Sequence, residues 1–225
     1  MPDLYNILSA RHNRLSYKSG TLFGVVEPPQ AHLMAYSKRL SSGEWDANKR
    51  VQAIVSSEYD IEFAPLDHNP DYEKFLNRAD HKCDAVLFNS AEHVVVFVEL
   101  KDRDIKNTLK DVAAQCVEQD SFSELSEVER DNWLVRAVAQ LRETICRFKQ
   151  SNPEEYNEIR SIHCAYISNR QCGYGQEFSA AETQEVFKKV TDFSLYINTR
   201  IDIKKLPPPI RFRLLNDETL DELEM

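Results

Sequence analysis

Long hydrophobic runs are missing from this sequence. The longest is Val94–Val98, far short of the roughly 20 apolar residues that cross a bilayer, so no membrane span is expected. The opening stretch MPDLYNILSARHNRL has no basic segment leading into an apolar one, and no secretory signal peptide is expected either. Cysteines number 5 and none are spaced as CxxC. That odd count fits a reducing cytoplasm better than a disulfide framework, and it argues against structural zinc. Glycine and proline are few, at 5 and 9, and there is no internal repeat and no low-complexity stretch. A GxxxxGK[ST] phosphate-binding loop is absent, so an ATPase motor would have to be a separate chain.

Positive charge is also in short supply. Lys and Arg total 28 against 37 Asp and Glu, giving a net charge of -9. This argues against a large non-specific nucleic-acid surface, which rests on many Lys/Arg–phosphate contacts, but leaves room for a local basic groove. The acids concentrate in EQDSFSELSEVERD (118–131) and in NDETLDELEM (216–225).

What is present is enough chain, 225 residues, for one sizeable domain. TLFGVVEPP reads as a strand ending in a proline turn and AHLMAYSKRL as a short helix. SGEWDANKRVQAIVSSE (42–58) reads as a helix capped by Ser42, with Trp45, Val51 and Ile54 on one stripe. YDIEFAPL (59–66), KCDAVLFN (82–89) and HVVVFVELK (93–101) read as strands, the last two joined as a hairpin and the last central because it is almost wholly apolar. A charged helix is expected over 104–119. The clearest helix is 131–150, where Leu134, Val138, Leu141, Ile145 and Phe148 form one stripe. IHCAYIS (162–168), a helix near 179–190 and strands near 193–203 and 209–214 complete the chain. The fold class expected is α/β, a mixed central sheet flanked by helices.

Chemistry gathers where the apolar strand ends. Alternation puts Glu99 and Lys101 on one face, beyond the buried part of the strand, and hairpin pairing brings Asp84 to the same end. Two converging carboxylates repel unless a cation sits between them. A hard divalent ion suits that place, since Mg²⁺ takes one or two carboxylates together with substrate phosphate oxygens. The Lys101 ammonium beside them can orient a water or offset phosphate charge.

Asp84 followed by Glu99-Leu100-Lys101 on the next strand resembles the PD-(D/E)xK nuclease superfamily, whose type cases are restriction endonucleases. The resemblance covers about 43–168. It implies a restriction-endonuclease-like core of a helix, a three-strand meander, a helix and a further strand. It implies Asp84 and Glu99 as catalytic acids, with the Leu100 carbonyl as a third ligand of Mg²⁺ or Mn²⁺, and Lys101 as the catalytic lysine. The motif's proline is replaced by Cys83. An additional acid on the first helix corresponds to Glu44, with Glu58 as the rival, and a glutamine on the later helix to Gln140. Four (D/E)xK tripeptides occur, ending at Lys82, Lys101, Lys106 and Lys204; only Glu99-Leu100-Lys101 closes an apolar strand with an acid on its hairpin partner, and Asp202-Ile203-Lys204 is the competitor.

The implied organisation is an N-terminal extension (1–42), a nuclease domain (43–215) and an acidic tail (216–225). The implied function is a cytoplasmic, divalent-metal-dependent nuclease, acting on DNA in preference to RNA, of the kind found in restriction and anti-phage defence systems. Arg103, Lys106, Lys110, Arg136 and Arg170 are the basic groups expected along the nucleic acid. The acidic balance makes a homodimer, or a partner subunit bringing DNA binding or a motor, part of that expectation. The alternative is a non-catalytic interaction subunit that keeps the nuclease fold. His93 and His163 read as sheet histidines.

Overall fold

In the computed structural model, the residues described are 17–26, 35–39, 51–67, 82–89, 94–101, 110–119, 124–130, 132–151, 153–158, 162–169, 181–197 and 210–213. Among them, eight strands form one mixed sheet: β1 (Tyr17–Val26), β2 (Tyr36–Arg39), β3 (Val51–Pro65), β4 (Ala85–Asn89), β5 (Val94–Lys101), β6 (Ile162–Asn169), β7 (Ser194–Ile197) and β8 (Ile210–Arg213). Their order is β2-β1-β3-β4-β5-β6-β7, with β8 also paired to β3. Among the described residues the helices are α1 (Lys110–Gln119), α2 (Glu127–Arg130), α3 (Trp133–Ser151), α4 (Pro153–Glu158) and α5 (Ala181–Thr191).

β3, β4 and β5 form an antiparallel meander. After it the direction rule changes, for β6 lies parallel to β5 and β7 parallel to β6. A parallel pair cannot be closed by a tight turn and needs a crossover. The chain between β5 and β6 carries α1 to α4, and the chain between β6 and β7 carries α5. β5 is therefore paired on both edges. Its run of β-branched residues suits that central place: Val95, Val96 and Val98 are fully buried and Phe97 nearly so.

α3 starts where Asn132 caps it. The Leu134 and Val135 amides donate to Asn132 Oδ1 at 3.0 and 3.3 Å, the usual work of an N-cap side chain. Its apolar stripe is buried throughout: Leu134, Val138, Leu141, Ile145 and Phe148. α3 lies along β5 in a register that two contacts define. At one end the Phe148 and Phe97 rings stand 5.9 Å apart. At the other, Gln140 meets Lys101. Eight residues of helix rise about 12 Å and four of strand about 13 Å, so a packing match at one contact carries over to the other.

Two expectations need correction. Residues 51–58 are not the end of a helix but the first half of β3, which runs on through the expected 59–66 strand. The segment carries Val51, Ile54 and Val55, β-branched residues that lose side-chain freedom in a helix. It gains backbone partners on both edges, β1 on one and β8 on the other. Residues 36–39, expected in a short helix, are strand β2, laid antiparallel on β1 from Phe23↔Arg39 to Val26↔Tyr36. In both places pairing to a neighbouring strand overrides a local helical pattern. Among the described residues, no helix is long and apolar enough to cross a membrane.

Candidate active site

The β4–β5 register pairs Ala85 with Val98. Carried one residue further, it sets Asp84 opposite Glu99, and directly opposed residues of an antiparallel pair share a face. Asp84 is nearly buried and Glu99 fully so, at 7% and 0% exposure. This corrects the expectation that Glu99 lies beyond the buried part of the strand: the two acids sit inside the protein, and Leu100 between Glu99 and Lys101 is fully buried as well.

Asp84 is fixed from two strands. Its Oδ2 accepts the Leu100 amide of β5 at 2.5 Å. Its carbonyl accepts the Leu66 amide at 2.9 Å and the Asp67 amide at 3.4 Å, just beyond the end of β3. Glu99 Oε1 is ion-paired with Lys101 Nζ. Lys101 is partly open to solvent, at 20% side-chain exposure, and its Nζ also donates to Gln140 Oε1 at 3.3 Å. Gln140 Nε2 in turn donates to the Lys82 carbonyl at 3.0 Å. The amide thus has its oxygen on an ammonium and its nitrogen on a carbonyl, the orientation its chemistry demands.

Cys83, where the superfamily motif has proline, is fully buried. Burial first, then the Glu99 and Asp84 carboxylates, push its thiol well above the ordinary value. It stays a neutral thiol, unsuited to act as a nucleophile or soft-metal ligand near neutral pH. Among the described residues, no group of three or more His, Cys, Asp and Glu side chains could hold a metal. What the strand end offers is two carboxylates and the Leu100 backbone, a small set of hard oxygen donors. That set fits Mg²⁺ or Mn²⁺ completed by water and phosphate oxygens, and it does not fit zinc.

The remaining candidates are less central. Glu44, Arg103, Lys106 and Arg170 lie outside the described residues, as do His93 and Asp202-Ile203-Lys204. Glu58 belongs to β3, not to a helix. Lys110 opens α1. Arg136 is exposed on α3, one turn before Gln140. His163 pairs with Val95, whereas Leu100 pairs with Ser168; the histidine is therefore at the opposite end of β6 from the acids.

Three residues at the strand end were assigned no part in the site by sequence. Lys82 is buried, at 2% exposure. Asp67 follows β3 and reaches the Asp84 carbonyl with its amide. Thr144, also buried, accepts the Cys83 amide. A visible signal existed for Thr144 alone: it is a polar residue set between Leu141 and Ile145 in the stripe, one turn from Gln140. No protein-family model, curated protein or solved structure matches the chain.

Proposed function

We propose that this protein is a divalent-metal-dependent nuclease of the PD-(D/E)xK type that hydrolyses phosphodiester bonds, DNA being favoured over RNA by the family resemblance. The observation that carries the reading is the strand end itself: Asp84 opposite Glu99, both withdrawn from solvent, with Lys101 ion-paired to Glu99 and held a second time by Gln140. Burying two acids costs several kcal/mol per ion unless they are compensated, and a site built at that cost points to function. The β3–β4–β5 meander, the following helix α3 and the further strand β6 support a restriction-endonuclease-like core.

Asp84, Glu99 and the Leu100 carbonyl would hold Mg²⁺ or Mn²⁺. The ion, when bound, supplies Lewis-acid charge that polarises the scissile phosphate. Lys101 directs a water toward phosphorus and offsets negative charge as it builds on the phosphoryl oxygens. The new bond runs from water oxygen to phosphorus as that water gives up a proton to solvent; the bond to the leaving sugar oxygen breaks, and that oxygen leaves with the electron pair and takes up a proton from solvent. Gln140 keeps a hold on the ammonium that does not depend on Glu99, so Lys101 stays in place when Glu99 is engaged as a ligand. Arg103, Lys106, Lys110, Arg136 and Arg170 would follow the substrate backbone. The net charge of -9 favours a second copy or a partner subunit that contributes nucleic-acid affinity, in the cytoplasm.

The test is cleavage of linear, circular and single-stranded DNA, and of RNA, with Mg²⁺ or Mn²⁺ by wild type, Lys101→Ala and the double variant Asp202→Ala/Lys204→Ala. Loss of cleavage in the first variant and retention in the second is expected. Full activity in Lys101→Ala would place the chemistry elsewhere. A wild type inert on every substrate, with Mn²⁺ binding intact, would favour an interaction subunit.

A further inference from the structure

The peptide between Lys82 and Cys83 is gripped by two side chains one helical turn apart on α3. Gln140 Nε2 donates to the Lys82 carbonyl at 3.0 Å, and the Cys83 amide donates to Thr144 Oγ1 at 2.9 Å. Thr144 is almost fully buried, at 1% exposure. Its own hydroxyl proton goes to the Gln140 carbonyl at 2.7 Å. A hydroxyl has one proton and two lone pairs. With the proton committed inside the helix, a lone pair is turned outward to receive the strand. The Cys83 amide needs it, because a buried N–H has no water to turn to.

This grip acts on the residue that follows. Asp84 is tied to the β3 end through its carbonyl and to β5 through its carboxylate. The Lys82–Cys83 peptide, one step before the peptide that joins Cys83 to Asp84, is tied to α3 by Gln140 and Thr144. We infer that Thr144 is a positioning residue, which fixes the Cys83 amide and through it the aim of the Asp84 carboxylate toward a divalent cation. The inference rests on the metal-dependent nuclease reading, but the grip itself does not. Thr144 bonds the Cys83 amide and the Gln140 carbonyl; it would act as groups behind metal ligands do, and their loss costs about 10–100-fold in metal affinity.

The protein supplies its own control. Thr191 makes the same pair of bonds at the end of α5: its hydroxyl donates to the Phe187 carbonyl at 2.7 Å, and it accepts the Phe193 amide at 3.2 Å. It is equally buried and borders no candidate ligand. Thr144→Val and Thr191→Val therefore remove the same chemistry at the site and away from it.

The experiment is calorimetric Mn²⁺ titration of the full chain, with amide hydrogen exchange at Cys83 followed alongside. Thr144→Val is expected to exchange faster at Cys83 and to bind Mn²⁺ about 10-fold or more weaker. Thr144→Ser, which keeps both bonds, should stay near wild type in both measurements, and Thr191→Val should bind Mn²⁺ as wild type does. Thr144→Ala replaces Thr144→Val if the valine variant does not fold. Faster exchange with unchanged Mn²⁺ affinity would reduce Thr144 to a structural role and overturn the inference. An equal loss in Thr191→Val would do the same, by tracing the effect to general destabilisation. If wild type and Asp84→Asn take up Mn²⁺ equally, the metal site fails first and the positioning role falls with it. The exchange result then still reports whether the grip exists.

Discussion

Gln140 bridges Lys101 and Lys82: its Oε1 accepts from the Lys101 ammonium at 3.3 Å and its Nε2 donates to the Lys82 carbonyl at 3.0 Å. One side chain thus ties the end of β5 and the segment leading into β4 to the helix that covers them. Gln140→Leu should keep the packing of α3 but release Lys101, lowering the cleavage rate by about 10–100-fold with a smaller change in Mn²⁺ affinity. Gln140→Glu replaces the amide donor with an acceptor opposite the Lys82 carbonyl and should not rescue. Rates at saturating substrate, measured beside Mn²⁺ titrations, separate the two effects; a matched loss of both would move Gln140 from the lysine to the metal ligands.

Cys83 should be chemically silent in the native protein. Burial, Glu99 and Asp84 all hold its thiol above the ordinary value, and the thiolate is the reactive form. Alkylation at pH 8 followed by peptide mass analysis should leave Cys83 unmodified until denaturant is added. Rapid native labelling of Cys83 would mean that the strand end opens readily.

Tyr156 should govern part of the alkaline limb of stability. Its hydroxyl proton is shared between the Thr191 carbonyl at 2.8 Å and Asp192 Oδ2 at 2.9 Å. Asp192 stands in the left-handed region, with φ 66°, where it ends α5. Burial first, then Asp192, raise the Tyr156 pKa above its ordinary 10.0. The folded protein therefore keeps this proton at a pH where the unfolded chain gives it up. Stability from this group is fully present below pH 10 and falls as pH rises beyond it. Urea midpoints between pH 9 and 11 should decline less steeply in Tyr156→Phe, which should also lose about 1–2 kcal/mol at neutral pH through the missing hydrogen bonds.

Strands with strong alternation or a continuous apolar run were legible in the sequence, and so was the α3 stripe. The hairpin that brings Asp84 to Glu99 followed from two strand-like runs and the few residues that separate them in sequence. The helical reading of 42–58 failed over 51–58 because backbone pairing on both edges of β3 is decided by strands distant in sequence, β1 and β8. The burial of Glu99 was hidden for a related reason. Alternation gives the face a side chain occupies, but not how far α3 extends over that face. Gln140 could be placed on the flank of a helix, yet its meeting with Lys101 depends on the register of α3 against β5, which the Phe97–Phe148 contact fixes across more than 50 residues of chain.

Arg136 lies one helical turn before Gln140 on α3 and is exposed. If nucleic acid passes the mouth of the site, its guanidinium meets a phosphate. Arg136→Ala should raise KM with little change in kcat. It should also reduce the slope of log affinity against log salt by about 0.9 for duplex DNA, the contribution of one phosphate contact. Binding measured across a salt series checks this, and an unchanged slope would move the substrate path off this face.

The ion pair between Glu99 and Lys101 is asymmetric, and stability and activity should part company there. Glu99 is fully buried, whereas 20% of the Lys101 side chain reaches solvent. Removing the lysine leaves a buried carboxylate without its ammonium; removing the acid leaves a lysine that can still turn toward water. Breaking a buried pair from the side that strands the charge costs about 3–5 kcal/mol, and the open edge at Lys101 places this case toward the lower end. Lys101→Ala should accordingly lose stability as well as cleavage. Glu99→Gln keeps the shape, removes the buried charge and should melt at or above the wild-type temperature while losing Mn²⁺ binding and cleavage. Such a gain on disabling a site is expected where acids are held together against their mutual repulsion. Thermal melts of both variants, with and without Mn²⁺, provide the comparison. Equal destabilisation by both would mean that Glu99 is a structural anchor of β5, and the catalytic reading of the pair would lose its main physical support.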